Sequence, residues 1–279
     1  MKTKNYFSIL SIAILCCMFS SYQIIAQEVG LQLYSLRNQF KTDVTGSLDL
    51  IQSWGITKLE GGGTYGLSME DFKKEIAARN LEIVSVGASY EDLQNNVDKV
   101  IENAKAFGAN FVMCAWIAHE GNDFDFAKIN EATEVFNKAG KRLKKEGITL
   151  AYHAHGYEFR PYENGTLFDY MAKNANHFAF EMDVYWVKHG GEDPLALLNR
   201  YPDKFVLLHL KDMEHGVKGN NTGHEDVETN VVLGTGQVDI AGVVKRSKEL
   251  GFVKYMFIED ECSRVVEQVP QSLKFLGSL

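Results

Sequence analysis

Two kinds of apolar pattern alternate along the chain. Leu93, Val97, Val100, Ile101, Ala104 and Phe107 fall on one face of a helix, and so do Ile129, Ala132, Phe136, Ala139 and Leu143. Between such stretches lie short, almost wholly apolar runs: Val29–Ser35, Thr57–Glu60, Glu82–Val86, Asn110–Cys114, Thr149–His153, Ala179–Asp183, Phe205–His209 and Lys254–Glu259. Continuous apolar runs suit parallel strands covered on both faces. The junctions agree. Trp54-Gly55-Ile56, Arg79-Asn80-Leu81, Phe107-Gly108-Ala109, Glu146-Gly147-Ile148 and Leu250-Gly251-Phe252 each end a helical pattern at a residue that tolerates the left-handed conformation, and a strand pattern follows. At the helix starts, Ser68 with Asp71 forms a capping-box pattern, and Asp239 precedes the run Ile240 to Leu250. Eight strands alternating with helices predict an α/β fold, a (β/α)8 TIM barrel. An open doubly wound sheet is the alternative. It would often place a glycine-rich phosphate loop after the first strand, where this chain has Leu36-Arg37-Asn38.

The N-terminus follows a different pattern. Lys2 and Lys4 precede the apolar run Phe7 to Phe19, and Ala26 offers a small residue before Gln27. This is the layout of a cleaved signal peptide over residues 1–26, which predicts an exported protein, periplasmic or secreted, with the barrel over 27–279. The run is short for a membrane span and no second one follows, so no stable span is expected. A lipid anchor on Cys16 or Cys17 is the less favoured alternative, because Leu15 and Cys16 are bulky for that signal. Cys114 and Cys262 are then left as two buried thiols rather than a disulfide framework.

Charge narrows the partners. Asp and Glu number 37 against 29 Lys and Arg, for a net charge of −8. The lysines are scattered, so nucleic acid is not an expected partner.

In a barrel the chemistry sits at the C-terminal ends of the strands, and the ionisable residues collect there. Glu60 closes the second strand. His153, His155 and Glu158 lie at or past the fifth, Asp183 closes the sixth, His209 the seventh and Glu259 the eighth, with Asp260 and Glu261 behind it. Several carboxylates buried around one axis are costly without a partner, and a divalent cation offsets that cost.

The segments that carry these residues resemble a known group. They are Val29-Gly30-Leu31-Gln32-Leu33-Tyr34-Ser35, Tyr152-His153-Ala154-His155-Gly156-Tyr157-Glu158-Phe159, Asp183-Val184-Tyr185-Trp186, Leu208-His209-Leu210-Lys211-Asp212, Gly234-Thr235-Gly236-Gln237-Val238-Asp239 and Phe257-Ile258-Glu259-Asp260-Glu261. In this order they resemble the xylose isomerase-like TIM barrel superfamily, in particular its sugar phosphate isomerase/epimerase branch. The resemblance implies one metal held by Glu158, Asp183, His209 and Glu259, with His153 as the alternative to Glu158. Three carboxylates and an imidazole suit Mn2+ first, with Mg2+, Co2+ and Zn2+ as alternatives. It also implies an isomerase or epimerase that works on a carbohydrate by proton transfer through a metal-stabilised enediolate, with Glu158 and Glu259 as the acid/base pair. Gln32, Tyr34, His153, His155, Trp186 and Lys211 are the expected substrate-binding residues, although Lys211 has a second reading as a partner of Asp212. Trp116 is equally a sugar platform or core.

The chain departs from the pattern at Ala154, Gly87 and Glu261, where relatives carry Asn, His and Asp, and this puts the substrate in question. Two other readings share the fold: a lyase or dehydratase acting on a 3-keto-glycoside or inosose, and a non-catalytic sugar-binding barrel. Export and the absence of an evident phosphate loop favour a non-phosphorylated substrate. The long polar stretch Met213 to Gly234 is expected to be a loop over the site, with His215 and His224 exposed. A repair endonuclease of related type would need a histidine-rich zinc cluster and a basic face, and neither is seen.

Overall fold

The computed structural model describes residues 28–279, so the expected signal peptide lies outside the described residues. Eight parallel strands close into a barrel in sequence order: β1 (Glu28–Gln32), β2 (Lys58–Gly61), β3 (Glu82–Gly87), β4 (Phe111–Cys114), β5 (Thr149–His153), β6 (Ala179–Asp183), β7 (Phe205–Leu210) and β8 (Tyr255–Ile258). β8 returns to pair with β1, Gly30 opposite Phe257 and Leu31 opposite Ile258, which excludes the open sheet. The first strand is shorter than its apolar run. Leu33–Leu36 turns into a 3-10 helix, because the Gln32 side chain accepts the Tyr34 N–H and breaks the extended path.

The helices form where their apolar faces predict. Val97–Phe107 buries Val100, Ile101, Ala104 and Phe107 and ends at Gly108, whose φ is +74°. Phe126–Lys144 buries Ile129, Ala132, Phe136, Ala139 and Leu143. Ser68 accepts the Asp71 N–H and Asp239 the Gly242 N–H, so both expected caps are made. After β6 the helical segments are short, Val184–His189 and Pro194–Arg200. Cys114 and Cys262 are buried and free. Among the described residues no helix is long and apolar enough to cross a membrane.

The barrel interior is layered by the two-residue period of the strands. Val84, Phe111, Ala151, Leu207 and Phe257 fill one layer as a separate apolar cluster. Gly30 makes room for it, since a Cβ there would stand 2.5 Å from the Lys58 carbonyl and 2.7 Å from the Phe257 ring. Two residues further along β4, β5, β7 and β8 come Met113, His153, His209 and Glu259, and here the interior turns polar.

Candidate metal centre

The polar layer is the floor of a pocket of about 790 Å3 at the C-terminal ends of the strands. Asp183, His209 and Glu259 each offer a ligand atom within 4.8 Å of the others, and so do His153, Glu181 and His209. All five side chains are buried.

Hydrogen bonding decides which histidine nitrogen faces a cation. His209 Nε2 lies 2.6 Å from Glu60 Oε1, and a carboxylate can only accept, so Nε2 carries the proton. Glu60 is itself held, accepting from Gln32 Nε2 at 2.9 Å and from Ser85 Oγ at 2.5 Å. His209 Nδ1 is thereby free on the other side. It stands 3.3 Å from Glu259 Oε2 and 3.9 Å from Asp183 Oδ2, and His153 Nε2 lies 3.5 Å from the same Asp183 oxygen. Donors around a tetrahedral ion with bonds of ~2.1 Å sit about 3.4 Å apart. His209 Nδ1, Asp183 Oδ2 and both ring nitrogens of His153 are buried without a hydrogen-bond partner. Such atoms are costly unless a ligand meets them, so His153, Asp183, His209 and Glu259 fit a divalent cation. The other oxygen of Asp183 accepts the N–H groups of Tyr185 and Trp186, which fixes its carboxylate at the start of Val184–His189.

The electrostatics describe the same need. Burial would lower the His209 pKa, but Glu181, Glu259 and Glu60 outweigh it and push it well above the ordinary value. Burial would raise that of Glu259, yet Lys211 and His209 hold it well below the carboxylate range. Asp183 is raised to about 6 and Glu181 to about 8, chiefly by burial. Burial lowers His153 and His155 to about 3, which leaves both imidazoles neutral, the form that ligates a metal.

One expected ligand is displaced. Glu158 is fully buried but belongs to neither group and does not line the pocket. It accepts from the Tyr152 hydroxyl and from the His155 N–H, and burial raises its pKa to about 7. The reason is local: Gly156, at φ +98°, turns the chain into the 3-10 helix Tyr157–Phe159 and carries the Glu158 carboxylate back behind β5. The donor set gathered at the floor therefore has two nitrogens and two oxygens, not the three carboxylates and one imidazole expected.

The remaining expected residues divide. Gln32, Tyr34, His153, His155 and Trp186 line the pocket, as do Trp116, Arg37 and the exposed His224. Tyr34 is 54% exposed at the rim, under the Arg37 guanidinium at 4.6 Å. His155 packs between Trp116 and Trp186, with ring centroids 5.6 and 5.1 Å away. Lys211 is buried and does not pair with Asp212. Its ammonium reaches Glu261 at 2.5 Å and Glu259 at 3.4 Å, while Asp212 accepts backbone N–H groups of the following loop. Residue-by-residue reading of the sequence missed Glu181. The signal was present: Glu181 and Asp183 are two apart on β6 and so share the inward face.

A closed parallel barrel with ligating side chains at the C-terminal ends of its strands defines the class of (β/α)8 enzymes. Within that class, the chain matches the family described as xylose isomerase-like TIM barrel over residues 48–279 and belongs to it. Among curated proteins it is similar to an inosose dehydratase from Clostridium perfringens, 26% identical over 235 residues that cover 74% of this chain and 78% of that protein. Among solved structures it is similar to a sugar phosphate isomerase/epimerase from Parabacteroides distasonis, 25% identical with a TM-score of 0.72, covering 90% of this chain and 93% of that one. It also shares its fold with the IOLI protein solved with a bound zinc atom, 13% identical with a TM-score of 0.70, covering 90% and 97%.

Proposed function

We propose that the protein is a divalent-metal-dependent dehydratase or lyase of a non-phosphorylated keto-sugar or cyclitol ketone. The carrying observation is that one carboxylate of the expected acid/base pair, Glu259, stands at the pocket floor, while the other, Glu158, is turned away. Inverting a carbon centre needs a group on each face of the substrate. Eliminating a β-hydroxyl on one face needs a single carboxylate.

His153, Asp183, His209 and Glu259 would hold the ion, and two imidazoles among four donors suit Zn2+ or Co2+ at least as well as Mn2+. When bound, it supplies a positive charge that polarises the substrate carbonyl and acidifies the carbon beside it. The Lys211 ammonium, 3.4 Å from Glu259 Oε2, favours the ionised carboxylate, so Glu259 begins as a base. Glu259 takes the proton from the carbon next to the carbonyl. The electron pair of that C–H bond forms the new double bond as the bond to the β-oxygen breaks. Glu259 then returns the proton to the departing oxygen, which leaves as water or alcohol and restores the carboxylate. His155, neutral and half-buried with a buried, unpartnered Nδ1, holds a substrate oxygen, and Trp186 packs on the C–H face of the ring.

The dehydratase relatives support this reading, and the expected export of the chain is consistent with it, since phosphorylated sugars belong to the cytoplasm. The second reading, an epimerase, draws on the isomerase/epimerase relative. Turnover of an inosose and a 3-keto-glycoside in deuterated water separates the two. Loss of water or aglycone, with a conjugated enone appearing, is expected. An inverted product carrying solvent deuterium, with nothing released, would establish the epimerase instead.

A further inference from the structure

The outer wall of the pocket comes from one excursion of the chain, between the short antiparallel strands Asp212–Met213 and Asn230–Val231. Asp212 closes its base by accepting from the N–H groups of Met213, Gly234, Gly236 and Val238 at 2.8 to 3.1 Å. Gly223 at the apex has φ +76° and lies so close to Tyr157 and Trp116 that a Cβ would stand 2.8 and 3.1 Å from their rings. The loop is thus seated on the aromatic wall, and Glu225 enters the pocket from it.

Glu225 is set rather than loose. Its side chain is 8% exposed, Oε1 accepts from Thr229 Oγ1 at 2.6 Å, and Oε2 lies 3.3 Å from His189 Nε2. His189 is buried and stacked on Tyr185 at 5.6 Å, and meets Trp186 edge-on at 5.4 Å. These are the two residues whose N–H groups hold Asp183, so the loop carboxylate is braced against the helix that starts at the metal centre. Burial lowers the His189 pKa, which favours its neutral form.

The charge balance of the pocket points the same way. Among the described residues lining it, Arg37 is the only Lys or Arg, against Glu225, Glu259 and Glu261. Its guanidinium is already engaged, donating to the carbonyls of Tyr34 and Glu261 at 3.2 and 2.8 Å and standing 3.8 Å from the Glu261 carboxylate. No lining Lys or Arg is left to meet a phosphate.

We propose that Glu225 is a specificity-determining residue, which accepts hydrogen bonds from the hydroxyl groups of a neutral polyol and turns away the corresponding phosphate ester. This rests on the carbohydrate reading above, not on whether the reaction is elimination or epimerisation. A buried, pre-oriented carboxylate gains charge-assisted hydrogen bonds from hydroxyl donors and repels a second anion.

The test measures binding of metal-loaded full-length protein to a panel of ketoses and cyclitol ketones, each with its monophosphate, alongside metal content and melting temperature. The native protein should bind neutral members at least about tenfold more tightly than their esters. Glu225→Gln should weaken neutral members by roughly 10- to 100-fold and bring the two classes close to equal, with metal content unchanged. Thr229→Val, which removes the hydroxyl that orients the carboxylate and that also meets Tyr185 and the Asp226 carbonyl, should move affinities the same way by a smaller factor with metal content unchanged, so an early-melting Glu225→Gln would not end the test. Native affinities in both variants, native binding of esters as tight as of neutral members, or no native binding of any neutral member would overturn the proposal. Inverted product without release during turnover would sink the elimination reading alone and leave these affinities in place.

Discussion

The two halves of the barrel interior are built from the same strands and obey opposite rules. Toward the N-terminal ends, the layer of Val84, Phe111, Ala151, Leu207 and Phe257 holds no polar side chain, and the charges outside it, Lys58 with Glu28 and Glu82, pair near the surface. Two residues further along, beside Glu259, His153 and His209 are just as buried but leave ring nitrogens unmet. The lower layer is stabilised by apolar burial and needs nothing else. The upper layer costs free energy until a cation arrives, and the lower layer is what holds the strands in place while it waits.

Removing a ligand should break the upper layer most. Asp183→Asn and His209→Ala are expected to abolish stoichiometric metal uptake, read by elemental analysis, and activity with it. Either variant holding a full equivalent of metal would remove that residue from the ligand set. Phe257→Ala should cost about 3–5 kcal/mol of stability by opening a cavity in the lower layer, seen by denaturant titration, while the folded fraction still binds metal. Glu60→Gln keeps the shape but weakens the acceptor that fixes the His209 tautomer, so metal affinity should fall by roughly 10- to 100-fold with little change in stability. A subtler effect concerns pH. Glu158 has a folded pKa of about 7, above its ordinary 4.5, so the folded state holds that proton more tightly. Its contribution is fully present below about 4.5 and is lost as pH rises through 7, and Glu158→Gln should flatten the profile over that window. Smallest of all, Lys58→Met at the lower surface should change stability by less than about 1 kcal/mol, because Glu82 is half exposed and its pairing is screened.

The lower half was easier to read in the sequence than the upper. β5 and β6 run over the stretches expected from apolar pattern alone, Thr149–His153 and Ala179–Asp183, and the other six strands start or end within a few residues of theirs. Strand periodicity is a local signal, and it places Asp183, His209 and Glu259 on one floor. Glu158 and its alternative His153 were harder to tell apart, because the position of Glu158 depends on a turn at the left-handed Gly156 and on the Tyr152 hydroxyl that it meets. Glu225 carried no sequence signal at all. It reaches the pocket through a loop whose path is fixed by Asp212 at the base and by aromatic contacts at the apex, and both are tertiary.

The central claim is that four side chains share one ion. The most direct measurement is anomalous diffraction from crystals of the protein loaded with zinc or cobalt. The account predicts one peak about 2.0–2.2 Å from His153, Asp183, His209 Nδ1 and Glu259, with Glu158 still bonded to Tyr152. A peak at Glu158, or none at the barrel floor in crystals that hold metal elsewhere, would contradict it.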